Sequence, residues 1–161
     1  QHRQRERPDR PRLAQFLRIV LEPRLRGAGV ELRRHCPLPE PLALCDANRL
    51  EQVLVNLLGN ALDALTGHPA PRIELNCSSH AGQAILSVRD NGPGLAETAR
   101  QHLFEPFFTT KGAGEGLGLG LAISAGIVRD FGGTLSGDNP PDGGARFTLE
   151  IPLAVEKPTH G

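Results

Sequence analysis

Four groups of residues have the types and spacing to handle a metal, a phosphate or a purine. The first is Gln52, Asn56, Asn60 and Asp63, spaced four, four and three apart. At about 100° per helical residue these share one stripe. Asn is a poor helix former, and exposed stripes usually carry Lys, Glu and Arg. Carboxamide oxygens at this spacing suit Mg²⁺ coordination or bonding to phosphate. A plain solvated polar face has the same pattern, so the stripe alone leaves both readings open.

The second group is Asp90-Asn91-Gly92-Pro93-Gly94-Leu95, which ends a strand-like run in a glycine turn. A carboxylate at a strand end can accept a hydrogen bond from an exocyclic amine such as the adenine 6-amino group. Glycines beside it let backbone approach a flat ring. The alternative is an ordinary turn, since Asn-Gly and Pro-Gly are turn dipeptides. The third group alternates Gly112, Gly114, Gly116, Gly118 and Gly120 just before a helical pattern. Backbone N–H groups there can face phosphate, aided by the helix dipole. Neither GxxxxGK[ST] nor GxGxxG is present. A flexible linker would not carry Leu117, Leu119 and Leu121 between its glycines. The fourth group, Leu103-Phe104-Glu105-Pro106-Phe107-Phe108-Thr109-Thr110-Lys111, suggests a lid that docks apolar residues on closing. Thr109, Thr110 and Lys111 would then reach phosphates; the alternative is a surface turn over a small satellite core.

These groups need elements to position them. Leu13, Phe16, Leu17, Val20 and Leu21 fall at helical spacing to Leu25, with a kink or early end at Pro23 and a stop at Gly27 and Gly29. Residues 30–35 alternate as a strand. Asp46 is the expected N-cap of the most regular helix, whose apolar positions run from Leu50 through Leu65 to a stop near Gly67 and Pro69. Strands are expected at 72–79 and 83–90, joined as a hairpin through His80-Ala81-Gly82. Residues 91–120 form a long, punctuated connection of the kind that is functional or disordered. A helix follows over 119–131, then strands at 134–136 and 146–153. Helices and hairpins mixed in this order predict an α+β two-layer α/β sandwich, with a mainly antiparallel sheet and helices on one face.

Composition narrows the function. The 161 residues carry 18 basic and 18 acidic side chains, and Tyr, Trp and Met are absent. That gives no reason to propose nucleic acid or an anionic membrane as partner. Cys36, Cys45 and Cys77 lack metal-ligand spacing and read as reduced thiols. No apolar run approaches the roughly 20 residues needed to span a bilayer. The first residue is Gln rather than Met, so a fragment of a longer protein is expected. Residues 1–12 read as a basic linker or arm, 13–154 as the domain and 155–161 as a tail.

The order NxxxNALDA, DNGPG, FEPFFTTK, GEGLGLGLAIS strongly resembles the ATP-binding domain of bacterial two-component sensor histidine kinases, which belong to the GHKL superfamily with gyrase, MutL and the ninety-kilodalton chaperone. The FEPFFTTK and glycine segments are most similar to the NtrB and four-carbon-dicarboxylate (DctB) sensor branch. The resemblance implies a Bergerat-type fold, ATP and Mg²⁺ as cofactors, and a lid over the nucleotide. It implies Asn60 as the metal residue, Asn56 near the phosphates, and Asp90 on the adenine amine with Gly92 and Gly94 shaping the pocket. Gly116, Gly118, Leu119, Gly120 and Leu121 match the phosphate-facing glycine box, and Lys111 a γ-phosphate contact. Thr148 matches a position lining the adenine end. Ala64, Leu95, Phe104, Thr109, Thr110 and Leu117 complete the implied lining. Relatives often carry Lys where this chain has Asp63, whose role stays open.

Hydrolysing relatives place a Glu general base at position 56; Asn56 has no such basicity. The implied reaction is therefore transfer of the γ-phosphoryl group to a histidine. None of His2, His35, His68, His80, His102 and His160 has the expected acceptor context. The acceptor is expected on dimerisation helices preceding Gln1, with a response regulator downstream. The chain by itself is expected to be monomeric and not to autophosphorylate, its parent a homodimer. A cytoplasmic domain of a bacterial inner-membrane sensor is the implied location. The alternatives are a nucleotide-binding regulatory module and an ATPase clamp.

Overall fold

The computed structural model describes residues 11–37, 41–106 and 120–154. Its first helical stretch is α1 (Leu13–Phe16), a π-helical turn (Leu17–Leu21) and α2 (Glu22–Arg26). The leucines explain the π turn. Leu13, Leu17, Leu21 and Leu25 recur every fourth residue, and all are at most 1% exposed. On a uniform α-helix each step of four drifts by about 40°. Widening one turn removes most of the accumulated drift, so all four leucines face the core. Pro23 does not end the helix as expected. It stands in the first turn of α2, where its missing N–H costs little. The stop comes at Gly27 and at Gly29, whose φ is +68°.

β1 (Glu31–His35) leads to an extended passage, residues 41–45, which bridges Arg12 on one side and Leu153 on the other. α3 (Ala47–Ala64) is then capped by Asp46, whose carboxylate accepts from Asn48 N at 2.8 Å and Arg49 N at 3.1 Å. Leu50, Val53, Leu54, Leu57, Leu58 and Ala61 are buried along one face. That burial fixes the rotation of α3 about its axis. β2 (Arg72–His80) and β3 (Gln83–Asp90) form the expected hairpin. α4 (Glu97–Arg100) is a short helix within the stretch expected to be one long connection. It has no side-chain cap, and only Ala99 is buried, so there was little periodicity to detect. α5 (Gly120–Asp130), β4 (Thr134–Asp138) and β5 (Arg146–Pro152) complete the described elements.

Among the described residues the sheet runs β1-β2-β3-β5-β4, with β1 parallel to β2 and the other pairs antiparallel. Its two faces differ sharply. Leu75, Val88 and Phe147 are paired neighbours buried on the inner face beneath the helices. The adjacent outer row reads His35, Asn76, Ser87, Thr148 and Ser136 across all five strands. The next outer row is Arg33, Glu74, Arg89, Arg146 and Asp138. Polar outer rows need no second helical layer, which explains why the sandwich has two layers. Arg34 points inward at the edge, where its guanidinium meets the buried Glu22 of α2 at 3.1 Å.

Two substitutions separate capping from burial in α3. Asp46→Ala is expected to lower the unfolding free energy by about 1 kcal/mol. Leu54→Ala, at a fully buried site, should cost about 2–5 kcal/mol. Urea unfolding of both variants measures the two losses; an Asp46 loss as large as the Leu54 loss would contradict the capping account.

Candidate nucleotide-binding site

Asn56, Asn60 and Asp63 line one open cleft of about 580 Å³ on the outward side of α3, shared with Gln52 and Arg24. The stripe therefore lies where the buried leucines force it to lie. Asn56 is half-buried because α5 runs antiparallel beside it. Its Nδ2 donates to Ser124 Oγ at 3.0 Å, and Ser124 is 2% exposed. At the far end of the same helix pair, Arg49 on α3 meets Asp130 on α5 at 3.0 Å. Gly120 opens α5 directly against Asn56: a Cβ there would stand 2.5 Å from Asn56 Oδ1. The glycine at 120 thus leaves room for the Asn56 carboxamide. It also leaves the start of α5, with its N–H groups, beside the Asn56 end of the cleft.

Asp90 is the last residue of β3 and pairs with the buried Ile73 on the inner face. It is 4% exposed. Its Oδ1 accepts from Gly92 N at 2.8 Å and from Ala145 N at 3.4 Å, while its own N–H donates to Ala145 O at 3.0 Å. Gly144, with φ +79°, lies so close to the Asp90 carbonyl that no side chain fits between them. The turn after Asp90 rests on α3: a Cβ at Gly92 would be 3.0 Å from the Ala64 carbonyl. The C-terminal end of α3 and the Asp90 turn are therefore one structure, and Asn60 stands one helical turn back along the same element.

Burial pushes the Asp90 carboxyl above its ordinary range; the N–H groups of Gly92 and Ala145 and the Arg89 charge pull it back only partly. An acid held at that cost is a candidate functional group. Cys45 is a contrasting case. Burial, with Asp46 beside it, pushes its thiol up to about 12, so it stays protonated and serves as core. The described residues contain no disulfide partner for it and no cluster of three or more His, Cys, Asp or Glu able to hold a metal.

The root of the connection after Asp90 is well anchored. Leu95 N donates to Asn139 Oδ1 at 2.7 Å, and Asn139 Nδ2 returns a bond to Leu95 O at 2.8 Å. Gly94, with φ +86°, packs against the same Asn139. Leu95, Leu103 and Phe147 crowd over Gly137 of β4, and Phe104 lies half-buried against the core. Leu121, in the first turn of α5, is packed on the core as well. Thr109, Thr110, Lys111, Gly116, Leu117, Gly118 and Leu119 lie outside the described residues.

Thr148 requires a correction. It pairs with Ser87 on β3 and Ser136 on β4, in the outer polar row. Asp90 belongs to the inner face, so Thr148 points to the opposite side of the sheet from the adenine candidate. The β5-side residue that meets Asp90 is Ala145, which precedes the strand. A strand reverses its face at every residue, and an expectation carried by family position slipped by an odd number. Ser124 and Asn139 were also missed. Ser124 stands one turn after Gly120, the only signal for it; Asn139 had none beyond a turn-forming Asn-Pro-Pro.

Comparison with known proteins bears on the family and the fold. Residues 45–155 match the family described as histidine kinase-, DNA gyrase B-, and HSP90-like ATPase. The two-component sensor PprA of Pseudomonas aeruginosa is 41% identical over 145 residues, covering 83% of this chain and 16% of that protein. The C4-dicarboxylate transport sensor protein DctB of Rhizobium meliloti is 45% identical over 125 residues, covering 78% and 20%. The crystal structure of full-length ShkA in complex with AMPPNP superposes with a TM-score of 0.76 at 34% identity, over 91% of this chain and 31% of that one. The chain thus spans about a fifth of the length of those curated relatives.

The Asp90 shift has a testable sign. An unfolded Asp titrates near about 3.9, and the folded group titrates higher. Between those values the folded state binds more protons, so stability falls as pH rises through the window. Asp90→Asn keeps an oxygen for both N–H donors and removes the charge. It should raise the melting temperature at neutral pH, with the gain shrinking as pH falls from the raised folded range toward about 4 and vanishing below it. Thermal melts across pH check this; a gain independent of pH would rule out a buried charge as its source.

Proposed function

The chain belongs to the histidine kinase-, DNA gyrase B- and HSP90-like ATPase family, and on that premise we propose that it binds Mg-ATP and presents the γ-phosphoryl group to a histidine on a separate helical domain of its parent protein. The observation that carries this reading is Asp90: a nearly buried carboxylate, held by backbone N–H groups where β3 meets the C-terminal end of α3. Its remaining acceptor capacity matches an adenine amine. Asn60 and Asn56 then follow along α3 in the order metal and phosphates.

The residues present fit Mg²⁺. This ion takes few protein ligands and fills its shell with phosphate oxygens and water. A single carboxamide at Asn60, in a cleft with no acidic or histidine cage among the described residues, is that kind of donor set. Bound there, the ion would supply neutralisation of phosphate charge. The chain's own contribution is alignment: Asp90 orients the base, and Asn56, fixed by Ser124, sets the distance between α3 and the start of α5. Lys111 is proposed as a further phosphate contact. Phosphoryl transfer has a loose transition state, so positioning and charge carry most of the catalysis. Asn56 cannot deprotonate water, which disfavours an ATPase clamp.

The parent is proposed to act in a two-component pathway, with dimerisation helices bearing the histidine, a response regulator receiving the phosphoryl group, and this domain on the cytoplasmic side of a sensor. None of the described helices is long and apolar enough to cross a membrane.

Titration of a fluorescent ATP analogue in magnesium tests the base site. Asp90→Ala should weaken binding by about tenfold or more, the loss expected when a hydrogen bond to a charged group is removed. Equal affinity in the two proteins would overturn the adenine assignment. Asn60→Ala should abolish the dependence of affinity on magnesium. Radiolabelled ATP mixed with the chain and the parent's helical domain should label a histidine; absence of label would favour a regulatory nucleotide-binding module.

A further inference from the structure

The cleft on α3 continues beyond Asn56 toward the first turn of the helix. It passes Gln52 and Asn48 and ends at Glu51 and at Arg24 of α2. Glu51 stands five residues before Asn56, about 7.5 Å along the axis at 1.5 Å per residue. If the base lies at Asp90 and the phosphates at Asn60 and Asn56, this extension is the space beyond the terminal phosphate. The inference therefore rests on the proposed nucleotide site.

Charge makes the extension informative. Stabilising a transferring phosphoryl group calls for cations around its oxygens. The α3 side chains lining the cleft include two carboxylates, Glu51 and Asp63, and no cation. Among the described residues, Arg24 is the one cation that lines it. Its side chain is half exposed and holds Glu51 through one nitrogen, Nη2 to Oε1 at 3.3 Å. A single-point, solvent-screened pair of this kind contributes little to stability. A terminal phosphate offers three acceptor oxygens and more charge, a better match for the guanidinium fork.

We propose that Arg24 is a binding residue for the terminal phosphate. Glu51 is its resting partner: it keeps the guanidinium at the cleft when no phosphate is present and yields it when one arrives. The pair also screens the Glu51 carboxylate, which would otherwise repel the nucleotide. The competing account is that Arg24 and Glu51 only pin α2 to α3.

The two accounts differ in how ATP and ADP respond. Affinities of both, in magnesium, are measured for the 161-residue chain and for Arg24→Gln, Glu51→Gln and the double variant. Arg24→Gln should weaken ATP by about fivefold to tenfold and ADP by less than about twofold, because only ATP places a phosphate in reach. Glu51→Gln should tighten ATP by about twofold to threefold, and the double variant should still bind ATP more weakly than the 161-residue chain, because removing the Glu51 charge relieves repulsion without replacing the guanidinium. Arg24→Lys should recover part of the ATP affinity. A structural pin predicts that Arg24→Gln and Glu51→Gln lower the melting temperature alike and leave the ATP-to-ADP ratio at the parent value; that result overturns the proposal. Asp90→Ala separates the levels: it should weaken both nucleotides together. Parent-like binding by Asp90→Ala would refute the site reading, whereas an unchanged ratio in Arg24→Gln refutes the role of Arg24 alone.

Discussion

Everything in this domain turns on the rotational setting of α3. Its leucine face must lie on the sheet, and once six apolar residues from Leu50 to Ala61 are buried there, no freedom remains about the helix axis. Asn56 and Asn60 then face the cleft as a geometric consequence. Asp46 fixes where the helix begins and the 61–67 turn where it ends, so the axial position is set too. The placement of the polar face is thus specified by the hydrophobicity of the other.

A second constraint joins the constellations that are far apart in sequence. Asn56 is bonded to Ser124, 68 positions later, and Gly120 leaves space for its carboxamide. Asp90 is bonded to Ala145, 55 positions later. The Asp90 acid and the Asn56 amide therefore each spend part of their hydrogen-bonding capacity on the fold itself. What they leave over is what a ligand can use. Such sharing gives a site its rigidity, since the groups meeting the ligand cannot rotate without breaking a bond in the scaffold.

Most of the fold was legible because its signals are periodic. The leucine repeat in α3, the alternation in β2, β3 and β5, and the glycine stops each survive as local patterns. α4 was missed because four residues with one buried side chain have no period to read. The π turn was missed for the opposite reason: a strict spacing of four from Leu13 to Leu25 is visible, but it passes for ordinary helix unless the angular drift is added up. In the candidate site, the placement of Asn56 and Asn60 on the polar helix face and of Asp90 at a strand end was readable from the pattern. Thr148 was assigned to the wrong side because its neighbours alternate, and face is decided by register with β3 and β4. Arg24 had no local signal; only the packing of α2 beside α3 brings it to the cleft.

The two polar rows on the outer sheet face have a mechanical meaning. A face built of Asn, Ser, Thr and paired charges, with Ile85 as its one aliphatic interruption on β3, gains little by being covered and loses little when it is bared. Among the described residues the strands present no contiguous apolar patch on that face. A partner meeting that face would have to match its charges and hydrogen bonds rather than shed water from apolar surface.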